Sequence, residues 1–331
     1  SRIRRIIIPD PWISWVPFAV VAGIREARRR GGFDAIVSSS PNESSHLAGW
    51  ALAALLRVPW IADLRDPWWS NSRRTGRDGW IGRADAALGR LVLRRARHIT
   101  TASAPWTEQI AEELPAVPVS FVMNGTADST GPRDDPPADA STLVYTGLLH
   151  GRRQFSPPFL AAIRDANVVR AQRGAAPLTL EVYGPPSEDL AAAASDADAS
   201  DVVRQHGVVE RAEAIAAQRA AGAVVVVIGD NPTEVECLPA KLFEYISTGR
   251  PIVVLGPREN EAARLVEAHG LGVSASDEDI ARLVEMLTST TLQAARHDAP
   301  ETAHELSQDR MACEFADTIA MIVDDDHRTR V

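Results

Sequence analysis

Residues 236–251 read ECLPAKLFEYISTGRP. Pro239 suits the first position of a helix, where a missing amide hydrogen costs nothing. Gly249 and Pro251 read as a stop. The spacing therefore predicts a helix over 239–247. Leu242, Phe243 and Ile246 give it one buried face. Lys241, Glu244 and Tyr245, at i, i+3 and i+4, share another. Lys241 is the only lysine in the chain, and seven residues separate Glu236 from Glu244. Exposed amides and the helix dipole favour a diphosphate at the start of such a helix, and Lys241 adds a point charge. A carboxylate suits the paired hydroxyls of a sugar or ribose. A solvated helix with an ordinary Lys–Glu pair fits the spacing equally well, since such pairs are common and weak.

The run Ile252–Leu255 that follows is strand-like, and the same alternation extends in both directions. Before the motif, the unbroken apolar run 223–228 reads as a buried central strand. Upstream of it come strands near 143–145, 178–182 and 202–205, with helices at 157–173, 188–194 and 211–219. Downstream, 261–269 and 277–288 read as helices, and a long final helix is expected over about 301–323. The first part alternates likewise, with strands near 33–38, 59–62, 98–101 and 117–122. Helices fall at 17–30, at 44–57 with Ser44 as N-cap, and at 81–95. Between the two series, residues 126–141 (TADSTGPRDDPPADAS) are polar, proline-rich and aperiodic, which reads as a linker. Alternating strands and helices imply parallel, doubly wound α/β sheets. The expected layout is a first domain over 1–125, a linker over 126–141 and a second domain over 142–300. A terminal segment, 301–331, should pack back on the first domain. Two such domains leave a cleft at the strands' carboxyl ends.

Bulk properties set limits. A chain of 331 residues with 45% apolar content suits a two-domain α/β protein. No apolar run reaches membrane-spanning length, and SRIRRIII lacks the core of a signal peptide. Two cysteines, Cys237 and Cys313, make no disulfide framework or metal-ligand spacing, so a reducing cytoplasm is expected. Neither a phosphate loop of the Gly-x-x-x-x-Gly-Lys type nor a zinc-type cluster is present. Residues 1–130 carry a net charge of +5 and the remainder −14. All eight tryptophans fall at or before position 106. Trp50 and Trp60, inside apolar runs, read as core. Trp68, Trp69 and Trp80, among polar and basic neighbours, read as candidates for contact with a sugar or a bilayer interface.

The 236–251 segment resembles the donor site of glycosyltransferase family 4 and its GT-B relatives, in the bacterial branch with P-x-K-x-x-E-Y. The resemblance implies that Glu236 contacts the donor sugar and Glu244 the ribose, with Leu238 and Pro239 alongside. TLVYTGLLHGRR resembles the segment that clasps the diphosphate: Gly147 matches its glycine and Arg153 its later cation. Leu148 stands where the family has an arginine, so Arg152 or Lys241 is expected to replace that contact. GVVERAEA, from Gly207, resembles the segment near the base, with Val208 as the base contact. In the first part, IIPDPWISWVPFA, FDAIVSSSPNESSHLAG and PWIADLRDPW resemble acceptor-side segments. Ser39, His46, Arg65, Asp66 and Trp68 are the candidates there. Ser39 falls where many relatives have a histidine. A lone His46 on an apolar helix is more often a packed side chain, and Arg65 fits a structural pair with Asp63 or Asp66 as well as an anion site. The usual opening strand, glycine loop and helix of the first domain are not seen before residue 33, so that domain is expected to be incomplete.

The resemblance implies a GT-B, retaining, metal-independent glycosyltransferase with no cofactor beyond a UDP- or GDP-sugar co-substrate. Its acceptor would be lipid-linked, a glycan or a natural product, and nucleic acid is not an expected partner. The basic, tryptophan-rich first part fits a place at the inner face of a membrane. A nucleotide-sugar epimerase on the same fold, or a non-catalytic nucleotide-sugar-binding protein, are the alternatives.

Overall fold

The computed structural model describes residues 7–71, 79–127, 139–149, 155–288, 302 and 304–330. The chain divides into two compact units, one of residues 1–124 and 311–331, the other of residues 125–310.

The first unit holds a parallel sheet of β1 (Ile36–Ser40), β2 (Trp60–Leu64), β3 (His98–Thr101) and β4 (Val119–Phe121), side by side in chain order. Its helices are α1 (Val16–Arg30), α2 (Ser44–Leu56), α3 (Gly79–Leu93) and α4 (Ala104–Glu113). Every residue of β2 is buried, which is why the strand reads as an apolar run rather than an alternation. Helix α2 lies so close to β1 that a Cβ on Gly49 would stand 2.8 Å from Ser38 and from the Trp60 ring nitrogen. The α2 cap differs from expectation. Ser44 is the first helical residue, and its backbone N–H and hydroxyl donate to the buried Asp10 carboxylate at 2.7 and 3.0 Å. The cap comes from 34 residues away in sequence, where local pattern cannot show it.

The tryptophans also sort differently. Trp60 and Trp68 are buried in the first unit's core, whereas Trp50 is 40% exposed and Trp80 68%. Trp68 hides in a polar stretch because Asp85 accepts its ring N–H at 3.3 Å and the His46 ring stacks on it.

The second unit carries a six-stranded parallel sheet in the order β10-β9-β8-β5-β6-β7. The strands are β5 (Asp139–Thr146), β6 (Thr179–Tyr183), β7 (Val203–Gly207), β8 (Ala221–Val227), β9 (Ile252–Leu255) and β10 (Gly272–Ala275). Read along the chain, this is the doubly wound dinucleotide-fold order, and it reverses between β5 and β8. Helices α5 (Pro157–Gln172), α6 (Glu188–Asp196), α7 (Arg211–Ala220), α8 (Pro232–Val235), α9 (Ala240–Ile246), α10 (Glu261–Ala268) and α11 (Ile280–Thr288) connect or flank the strands. Ser156, Ser187 and Asn260 cap α5, α6 and α10, each accepting a backbone N–H on its side chain.

Three boundaries depart from the sequence reading. Strand β5 begins at Asp139, inside the expected linker, of which residues 128–138 lie outside the described residues. Pro239 is not the first helical residue. It sits one place earlier, as the extended N-cap of α9. The final helix, α12 (Gln308–Arg330), starts later than expected and runs into the first unit, where Asp325 pairs with Arg97.

Candidate functional site

The sheet order puts the switch point of the second unit between β5 and β8, and such folds bind ligands outside the carboxyl ends there. Beyond the end of β5 lies a cavity of about 560 Å³, bordered by Thr146, Gly147, Arg211, Gln218, Lys241 and Glu244 among others. Gly147 has φ +121°, and a Cβ there would stand 3.2 Å from the Lys241 Nζ. The missing side chain therefore leaves room for the ammonium group. Nζ also lies 3.8 Å from the centre of the Tyr145 ring, a favourable cation–π position. Burial lowers the Lys241 pKa to about 8, and the Glu244 charge pulls it back up.

Glu244 is held on both oxygens. Gln218 Nε2 donates to Oε1 at 2.6 Å and Arg211 Nη2 to Oε2 at 3.0 Å. The same Gln218 amide nitrogen donates to Thr146 Oγ1 at 3.0 Å. The Thr146 backbone N–H in turn donates to the Tyr245 hydroxyl at 2.8 Å. Burial pushes the pKa of that phenol up to about 12, so it stays neutral. Helix α9 is thus tied to the end of β5 through side chains rather than through its own cap, which has no side-chain bond.

Of the expected donor residues in the described chain, Gly147, Lys241 and Glu244 border this cavity; Glu236, Leu238, Pro239 and Val208 do not. Leu238 is buried, Val208 is 76% exposed, and Glu236 closes the short helix α8. The carboxylate fixed to the end of β8 belongs to Glu234, which accepts the Gly229 N–H at 2.9 Å. Arg152 and Arg153 lie outside the described residues, and Leu148 is half-exposed. Sequence reasoning passed over Gln218, Arg211, Thr146 and Glu234. A glutamine in an alanine-rich helix carries no spacing signal, and its partners, Thr146 and Glu244, come from two other elements.

A second cavity of about 590 Å³ opens at the carboxyl ends of β8, β9 and β10, with Asp230, Arg258 and Ser276 on its walls.

In the first unit, strand register sets Ser39 beside Asp63 and Asp63 beside Thr100. Asp63 accepts from Ser39 at 2.7 Å, from Thr100 at 2.8 Å and from Arg65 at 3.3 Å. Arg65 also donates to Val122 O at 2.8 Å and Asn124 Oδ1 at 2.7 Å. Asp66 sits half-buried beside it. His46 is wholly buried, with Nδ1 on the Ser38 hydroxyl at 2.8 Å and Nε2 without a partner. Burial pushes its pKa down to about 4, with Asp63 pulling it up. His46 and Trp68 stack on each other inside the core, so neither presents a free face to an acceptor.

Residues 2–125 match the family model described as a glycosyl transferase 4-like domain. A search of curated proteins found no match. Among solved structures, a sucrose-phosphate synthase from Thermosynechococcus elongatus aligns with TM-score 0.66 and 15% identity, over 96% of this chain and 80% of that one. The Anabaena protein HepE, solved in complex with UDP and glucose, aligns with TM-score 0.62 and 12% identity over 90% and 81%. The lipopolysaccharide outer core galactosyltransferase WaaB aligns with TM-score 0.59 and 16% identity over 92% and 80%. The two parallel-sheet units have the GT-B fold. The domain match over residues 2–125 and this fold together support a glycosyltransferase. No helix among the described residues is long and apolar enough to cross a membrane.

Proposed function

We propose that the protein transfers a sugar from a UDP- or GDP-sugar to a lipid-linked, glycan or natural-product acceptor, with retention and without a metal ion. One observation carries this reading. The sole lysine and a fixed carboxylate face one cavity at the switch point, beside a glycine that leaves room for the lysine's ammonium group. In this reading Lys241 neutralises the departing diphosphate, helped by Arg152 and Arg153, and Glu244 accepts the ribose hydroxyls. Glu236, on the turn between α8 and α9, orients the sugar. No covalent nucleophile is required, since stabilising the leaving group electrostatically is enough to drive departure. The HepE complex with UDP and glucose supports such a donor on this fold.

The acceptor belongs to the first unit in this proposal. Trp12 and Trp15, just before α1, and Phe18 and Val21 in its first turns are exposed, and Arg25 and Arg28 follow on the same helix. Aromatic residues followed by cations suit the inner surface of a membrane.

Incubation with UDP- and GDP-sugars tests the reaction. Transfer or slow hydrolysis supports it, whereas an isomerised sugar points to an epimerase, and saturable binding without turnover to a non-catalytic protein. Calorimetry tests the site. Glu244→Ala should weaken nucleoside diphosphate binding roughly 10- to 100-fold, from the loss of hydrogen bonds to a charged group. Unchanged affinity would sink the assignment.

A further inference from the structure

We infer that Gln218 is a positioning residue that presents one oxygen of Glu244 to a ligand diol, and that Arg211 is the exchangeable stand-in for that ligand. The inference rests on the proposed nucleotide-sugar reading.

The two oxygens of Glu244 are held unequally. Oε1 takes a 2.6 Å bond from Gln218, whose side chain is wholly buried. A hydrogen bond to a charged group away from water is costly to break, because the partner is left unpaired. Gln218 cannot follow the carboxylate elsewhere either, since the same nitrogen is tied to Thr146 at the end of β5. Oε2 is held by Arg211, whose side chain is 81% exposed. An ion pair in that setting contributes little, and water or a ligand replaces it readily. The Arg211 guanidinium thus occupies the oxygen that incoming hydroxyls would use. It stands at the first position of α7, so it can swing into solvent without disturbing the fold.

Gln218 also fixes where Glu244 stands relative to the ammonium group. Helix α9 carries both Lys241 and Glu244, yet it has seven residues and no side-chain N-cap. The chain Glu244–Gln218–Thr146 leads to the residue before Gly147, where the Lys241 amine sits. The spacing between the diol acceptor and the diphosphate cation is therefore set by β5, a strand inside the sheet. In this account Gln218 touches no ligand; it acts through Glu244.

The buried oxygen of Gln218, Oε1, has no hydrogen-bond partner. An unsatisfied buried acceptor is tolerated where the group's other end is needed elsewhere. Turning the amide over would satisfy no more groups, because it would set two oxygens against each other at Glu244.

The test is the ratio of affinities for UDP (and GDP) and for their 2′,3′-dideoxy counterparts, measured by calorimetry on the full chain. The wild type should prefer the ribonucleotide by roughly 10- to 100-fold. Gln218→Ala should bring that ratio down to threefold or less while leaving the dideoxynucleotide affinity in place. A purely structural role would weaken both ligands alike, and that result, or an unchanged ratio, overturns the proposal. Arg211→Ala, at an exposed position that folding does not depend on, should keep the ratio and tighten ribonucleotide binding by up to about threefold. A tenfold loss there would show that Arg211 itself grips the ligand, and would also overturn it. Failure of the inference is distinct from failure of the donor reading. If the wild type discriminates and Glu244→Ala abolishes the discrimination, the donor site stands and the Gln218 variant decides alone. If the wild type binds neither nucleotide, both readings fall.

Discussion

Asp63 in the first unit and Glu244 in the second are both carboxylates held at the carboxyl end of a parallel sheet, yet their surroundings differ. Asp63 is 9% exposed, and its oxygens are taken by Ser39, Thr100 and Arg65, partners supplied by the first unit itself. Arg65 donates further to Val122 and Asn124, also of the first unit. Glu244 has one buried partner and one in solvent. The difference teaches how to tell a carboxylate that holds a fold from one that is ready to hold something else. The sign is not burial alone but whether a partner can leave at small cost. By that measure the polar centre of the first unit is structural, and the cavity at Gly147 is where exchange is cheap.

The largest effect should come from breaking the exchangeable side of this comparison. Lys241→Ala should cut sugar transfer by about 10²–10³, the usual scale for losing one charged group at a developing anion. Folding should survive, since an alanine there deletes a partly buried cation and leaves the apolar face of α9 intact. The pH profile sharpens the point. With its pKa lowered to about 8 by burial, Lys241 is protonated at neutral pH and loses its charge above that value. Nucleoside diphosphate affinity should fall as pH rises beyond 8 in the wild type and stay flat in Lys241→Ala. An identical pH dependence in both proteins would remove Lys241 from the anion site.

How far the sequence carries depends on where each interaction is made. The strands β8 and β9 were legible because both their faces are buried, which leaves unbroken runs such as Ile252–Leu255. Strand β10, a half-exposed edge strand reading Gly-Val-Ser-Ala, has no such run and was missed. The Lys241–Glu244 pair was legible because helix geometry alone brings i and i+3 together. The resemblance supplied roles for Glu236 and Val208, but neither borders the cavity that holds that pair. Gln218, Arg211 and Asp10 were not legible, because each meets its partner across the fold. Trp68 was misread for the same reason: its polar sequence neighbours say nothing of Asp85 and His46, which enclose it.

His46 tests the structural side of the comparison. Its imidazole is neutral when buried, with a pKa near 4 against 6.5 for an ordinary histidine. The unfolded chain therefore binds the proton more readily between those values, and stability must fall as pH drops through that window. From this group alone, the loss at pH 5 relative to pH 7.5 should be roughly 2 kcal/mol. All eight tryptophans lie in the first unit, so their fluorescence during urea unfolding reports on that unit. His46→Gln should flatten this part of the pH dependence. Retention of the full slope in that variant would mean that other groups of the first unit carry it.

The smallest effect concerns a side chain that the structure leaves uncovered. Trp80, at the start of α3, is 68% exposed, whereas Trp68 in the same unit is buried among core residues. Deleting a large exposed ring removes little buried area, so Trp80→Ala should change unfolding free energy by no more than about 0.5 kcal/mol. Urea midpoints at two protein concentrations check this. A larger loss, especially one that grows with concentration, would mean that another surface covers the ring in solution. Trp80 would then join the contacts that hold the protein together, and exposure would no longer separate exchangeable groups in the first unit from fixed ones.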